Sequence, residues 1–230
     1  MSSDPLLEPP SQILWPLGQH IKDPSPESAS AVLAPDDSWV DLKLRAARWY
    51  LDVLQHLESA VGLDRHAGVE MALDGCLSNL TGAVDAARAR LIVTLERRLS
   101  TPPLQEHQYD LAKADKLVAQ LVTQGGAAPS VGALRNARAD EKAAVPTGWL
   151  AQARRLRNRT THHTTLARHF DAVINEPTSE GRATTKLSLP GAPGDSVDVT
   201  VWLADCLQRA VDLCGDLLHD ARATGHFIPD

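Results

Sequence analysis

Four guanidinium groups crowd one short run, Arg154-Arg155-Leu156-Arg157-Asn158-Arg159, and Thr160-Thr161-His162-His163 follow directly. These residue types suit phosphodiester chemistry. Arginine presents a permanently charged planar fork that matches phosphate oxygens, and histidine is the side chain best poised to pass a proton near neutral pH. Together they permit a metal-independent transesterification. A base takes the proton of a ribose 2′-hydroxyl, the oxygen attacks the adjacent phosphorus, and an acid protonates the departing 5′-oxygen. RNA allows this route; DNA, lacking the 2′-hydroxyl, does not. In this scheme His162 is the acid or base, Arg157 stabilises charge on the phosphorane, and Asn158 orients the histidine or a phosphate oxygen. His163 is the alternate acid or base, because a helix boundary is defined only to within a residue or two. Arg154, Arg155 and Arg159 are candidates for RNA contact.

Rival chemistries are less well supplied. His162, His163 and His169 with Asp171 suggest a metal cluster, yet adjacent histidines on a helix point in different directions, and no glutamate completes a zinc-hydrolase spacing. Neither a metal nor a cofactor is expected. Glu70 and Asp74 stand four residues apart, hence on one helical face, where either can hold an arginine in place; Asn79 and Asp85 are weaker candidates for that role. The chain has no glycine-rich phosphate loop, nucleophile elbow or kinase signature. The plainer alternative for the arginine cluster is a solvated helix face. Leu134-Arg135-Asn136 repeats the start of the motif with Asp140 in place of the histidine, and reads as such an exposed face.

The elements that must position these residues read as mostly helical. Residues 1–36, rich in Pro and Ser without a sustained period, read as an arm ahead of a domain over 37–230. Asp36-Asp37-Ser38 offers N-caps for a helix carrying Leu44, Ala47, Leu51, Leu54 and Val61, closed by Gly62. Asp64 is placed to cap a longer, central helix, in which Leu73, Leu77, Leu80, Val84, Ala87, Leu91 and Leu95 keep helical spacing up to Thr101-Pro102-Pro103. Segments 109–121, ending at Gln124-Gly125-Gly126, and 130–144 read as helices of an insertion over 100–145. Pro146 suits the first turn of the helix that delivers the motif, with Trp149, Leu150, Ala153 and Leu156 on its apolar stripe. Leu166, Phe170 and Val173 extend the helical period beyond His162. Alternation in Lys186–Leu189 and Val197–Val201 about Pro190–Gly194 predicts a β-hairpin within 176–200. A last helix follows a Thr200 cap, bears Trp202, Leu203, Cys206, Ala210, Leu213, Leu217 and Ala221, and stops at Gly225.

Composition narrows the class. A formal net charge of −6 argues against coating nucleic acid by bulk electrostatics, and only 4% aromatic residues argues against broad single-strand binding by base stacking. No run approaches the ~20 apolar residues that span a bilayer, and Met1-Ser2-Ser3-Asp4-Pro5 lacks the start of a secretory signal, so a cytoplasmic protein without membrane contact is expected. Cys76, Cys206 and Cys214 form no paired pattern and read as small apolar residues of a helical core, as Trp149 and Trp202 read as its aromatic members.

Arg157, Asn158 and His162 resemble the motif of the HEPN ribonucleases, an arginine, a polar residue and then a histidine after a short spacer. The order of elements is similar as well: a mainly α, up-and-down four-helix bundle with the motif near the start of its third helix, here with a helical insertion and a small hairpin before the last helix. The resemblance implies a homodimer that brings both copies of the motif into one cleft. It implies an endoribonuclease leaving 2′,3′-cyclic phosphate and 5′-hydroxyl ends, in a toxin-antitoxin or phage-defence role with an antitoxin or other defence partner. Some relatives of this kind are catalytically silent interaction or RNA-binding modules, which is the alternative reading.

Overall fold

The computed structural model describes residues 37–57, 63–102, 109–161, 168–172, 183–189 and 196–225. Among them lie six helices: α1 (Asp37–Leu57), α2 (Leu63–Arg98), α3 (Leu111–Thr123), α4 (Ser130–Ala137), α5 (Trp149–Thr161) and α6 (Val199–Gly225). Three strands, β1 (Arg168–Ala172), β2 (Ala183–Ser188) and β3 (Ser196–Asp198), form an antiparallel sheet in the order β1-β2-β3. The protein is therefore mainly helical, with a small β element before its last helix. No described helix is long and apolar enough to cross a membrane. The expected arm over 1–36, together with His162, His163, Leu166 and Val173, lies outside the described residues.

The 36-residue α2 is the central element, touched by α1, α3, α5 and α6. Its apolar residues Leu73, Leu77, Leu80, Val84, Ala87, Leu91 and Leu95 are all buried, as their spacing requires. Gly68, Gly75 and Gly82 recur every seven residues along it. Over them lie Leu57, Tyr50 and Lys43 of α1, themselves seven apart; a Cβ at Gly75 would stand 2.5 Å from the Tyr50 ring. Pairing in this reversed order makes α1 and α2 antiparallel. An ion pair from Arg222, near the end of α6, to Asp37, the first residue of α1, makes α6 antiparallel to α1 as well. α2 closes at Ser100, whose φ of 52° supplies a left-handed stop, while Thr101 N–H returns to the Glu96 carbonyl at 3.0 Å.

The insertion shares this core. Ala114, Leu117 and Leu121 of α3 and Val131 and Leu134 of α4 belong to the same buried cluster as α2 and α6. Asp110 caps α3 by accepting from Lys113 N–H at 2.7 Å. The start of α4 is capped from afar: the buried Asp220 carboxylate of α6 accepts from Ser130 N–H at 2.9 Å. Arg135 and Asn136 are exposed on α4, as expected for the incomplete copy of the motif.

Several boundaries differ from the sequence reading. Asp64 falls inside the first turn of α2 instead of capping it. The helix expected over 130–144 stops at Ala137, and turns fill 138–142. α5 begins at Trp149 rather than at Pro146, because the Gly148 carbonyl accepts the first helical bond from Gln152 N–H at 3.0 Å. Phe170 does not continue a helix. It lies in β1 opposite Thr185, where ladder bonds to a β-branched run outweigh a helical period carried by only three apolar residues. The hairpin is therefore the β2–β3 part of a three-stranded sheet. Asp198, not Thr200, caps α6: its Oδ1 accepts from Thr200 N–H at 2.9 Å and from Val201 N–H at 3.0 Å. Trp149 and Trp202 are half-buried against the core, not within it.

Gly148 sets where α5 enters. Its N–H donates to the Ala139 carbonyl at 3.1 Å. A Cβ there would fall against the Ala137 carbonyl oxygen and 2.7 Å from Ala139 N, so main chain has to move to admit it. Gly148→Ala is expected to lower stability by about 1–3 kcal/mol or more, read as a lower urea midpoint at an unchanged m-value. An unchanged midpoint refutes this close-packed entry.

Candidate functional site

One face of α2 carries a polar stripe beside its buried leucines. Asp74, Thr81, Asp85 and Arg88 fall on it at spacings of seven, four and three, and α5 lies along it. Side-chain contacts join the two helices, among them Arg154 to Asp85, Arg157 to Thr81 and Thr160 to Asp74. The α5 partners advance along the chain as the α2 partners recede, so the helices run antiparallel. Leu150, Ala153 and Leu156 of α5 are buried beneath this polar seam.

Arg157 stands at the centre of the seam, half-buried, and its Nη1 donates to Thr81 Oγ1 at 3.1 Å. The Thr81 hydroxyl in turn donates to the Leu77 carbonyl at 2.8 Å, which fixes its lone pairs for the guanidinium. One turn on, Thr160 Oγ1 lies 2.6 Å from Asp74 Oδ1 and 2.7 Å from the Arg157 carbonyl, two acceptors for its one proton. Asp74 thus holds the last turn of α5 through a threonine, where the sequence suggested an arginine. Glu70 is half-buried one turn earlier on the same face of α2.

The other arginines of the cluster take separate directions. Arg154 is ion-paired to Asp85, which Arg88 Nη2 also reaches at 3.3 Å. Arg155 donates to the backbone carbonyls of Ala144 at 2.9 Å, Ala143 at 2.5 Å and Glu141 at 3.1 Å, tying the loop before α5 to the helix. Asn158 and Arg159 are exposed. The motif also sits differently from the resemblance: Arg157 and Asn158 occupy the end of α5, not its start, and His162 is the next residue after that helix in the sequence.

Thr81, Arg88 and Arg138 were not singled out from the sequence, and Asp85 only weakly. The signal for three of them was present, since a central helix lined with leucine rarely carries a polar stripe unless something packs on it. Burial pushes the Arg88 pKa down; Asp85 opposes this, while Arg154 and Arg138 add to it and Asp110 opposes it further. Burial also drives all three thiols up, Cys76 and Cys214 to about 12 and Cys206 further, where Asp205 adds to the effect. All three cysteines are buried and unbridged, which fits core packing.

Chemically, the seam offers a guanidinium fixed at one end of a helix, beside an exposed amide and a second arginine, immediately ahead of two histidines in the chain. No protein-family model matches the chain, and no curated protein or solved structure was found to resemble it.

Proposed function

We propose that the chain is a metal-independent RNA endonuclease of HEPN type. The observation that carries this reading is the seating of Arg157, which the Thr81 hydroxyl of the central helix holds at the end of α5 while Asn158 faces outward. A guanidinium is permanently charged, and its planar fork matches the geometry of phosphate oxygens. Further support comes from the directions of α1, α2, α5 and α6, since α1 runs antiparallel to α2 and α6, and α2 antiparallel to α5. This is the alternation of an up-and-down bundle. In the proposed reaction His162 moves the proton, Arg157 stabilises the charge gathering on phosphorus, and Asn158 orients the histidine or a phosphate oxygen. The homodimer implied by the motif places two copies in one cleft, and the cellular role is that of a toxin or defence effector.

A second reading, a silent HEPN-like interaction or RNA-binding module, is favoured by the placement of Arg154 and Arg155. Both are engaged inside the fold, which thins the basic flank of the motif. Incubation of the purified chain with total RNA and tRNA in EDTA separates the two. The enzyme reading expects fragments ending in 2′,3′-cyclic phosphate and 5′-hydroxyl, absent with His162→Ala. Cleavage that needs added metal overturns the metal-independent mechanism, and no cleavage by a well-folded chain favours the module.

A further inference from the structure

Arg88 of α2 and Arg154 of α5 converge on a single carboxylate oxygen, Asp85 Oδ1. Arg138, in the turn after α4, spends two donors, Nε (2.8 Å) and Nη2, on one oxygen of Glu141. The three side chains keep only 14%, 18% and 16% of their exposure. Each retains an N–H shielded from water and without an acceptor: Arg88 Nε, Arg154 Nε and Arg138 Nη1. Three guanidiniums are thus paired directly with two carboxylates. A buried donor left unmade is costly, and a buried charge more so. Arg154 and Arg138 both act on Arg88 as like charges, with Asp110 a more distant counterweight whose Oδ1 is occupied by Lys113 N–H.

We infer that Arg88, Arg138 and Arg154 form a binding site for a tetrahedral oxyanion of the phosphate class. The donors arrive from three elements: the central helix, the turn after α4 and the motif helix. A planar carboxylate presents two oxygens in one plane, whereas a phosphate presents acceptors in several directions and accepts from several guanidiniums together. Arg155, pinned to the carbonyls of Glu141, Ala143 and Ala144, holds the Glu141 side of the cluster against α5. Arg154 lies one turn from Arg157 on that helix, so the site neighbours the proposed nuclease motif. The inference goes beyond the nuclease reading and survives its failure, since no part of it uses His162.

The test is thermal unfolding of the full chain in inorganic phosphate against chloride at equal ionic strength and pH. Saturating phosphate is expected to raise the wild-type midpoint by about 2–4 °C or more. Arg138→Gln should abolish the rise and Arg138→Lys should keep part of it; Arg138 is chosen because its direct partner, Glu141, lies in the same surface turn. On the unmutated chain, phosphate titration should shift the NMR signals of the Arg88 and Arg154 Nε–H groups. Equal midpoints in the two salts, an undiminished rise in Arg138→Gln, or unmoved Nε–H signals each overturn the site. A final arm identifies the source of the phosphate group. A short single-stranded RNA that displaces inorganic phosphate assigns the site to a phosphodiester, and one that leaves phosphate bound assigns it to a free anion.

Discussion

Arg157→Ala is expected to lower RNA cleavage by about 10²–10³-fold, the usual consequence of removing one fixed donor from a developing oxyanion. The loss should fall on kcat more than on KM, because the charge Arg157 meets is greatest in the transition state. Arg157→Lys should recover little, since an ammonium lacks the fork that can bond Thr81 and phosphate together. Thr81→Val, which keeps the shape of the side chain and removes the hydroxyl, should cost activity well short of the alanine variant. A value equal to wild type for Arg157→Ala, in a chain with an unchanged urea midpoint, refutes the catalytic assignment and leaves the seam as a packing device.

The second large effect concerns pH and does not depend on the nuclease reading. Cys76 and Cys214 have thiols pushed up to about 12 by burial, and Cys206 is raised in the same direction, from an ordinary value of 9.0. Below pH 9 the thiols are neutral in folded and unfolded chains alike, so their full contribution is present. Above it the unfolded chain releases protons that the folded chain keeps, and stability falls as pH climbs toward 12. The slope is about 1.4 kcal/mol per pH unit for each thiol, hence about 4 kcal/mol per unit for all three. Against a typical total of about 5–15 kcal/mol, the native state should collapse within a few units. Urea midpoints at pH 8, 9, 10 and 11 measure this. A chain with all three cysteines changed to alanine should be weaker at pH 8 yet nearly flat above pH 9 by comparison. Parallel decline in the two chains assigns the alkaline loss to other groups.

The sequence carried much of this architecture and less of its site. The period of Leu73 to Leu95 made α2 legible because a helix buried on one face must repeat its leucines. The cap of α6 was displaced from Thr200 to Asp198, since both residue types cap well and only the chain's exit from β3 chooses between them. Phe170 misled because three apolar residues at helical spacing say nothing of a ladder partner, and Thr184-Thr185 lie well downstream. The motif helix was readable from Leu150 to Leu156, whereas its start depended on Gly148 meeting the main chain of Ala137 to Ala139, a contact that no spacing rule encodes. The polar seam was the hardest part. Thr81 and Arg157 are 76 positions apart and Arg154 and Asp85 are 69 apart, so nothing local marks them as partners.

The glycines at 68, 75 and 82 have one more consequence. They are notches cut at equal intervals, filled by Leu57, Tyr50 and Lys43 as teeth cut to the same pitch. A slide of α1 by one helical turn would drive the Tyr50 ring from a notch onto a full side chain such as Asn79 or Met71, with no shallow position between. The two longest-engaged helices therefore behave as a detent: α1 is either seated along its length or disengaged from it. Any partner that pulls on α1 meets a threshold before it meets a response.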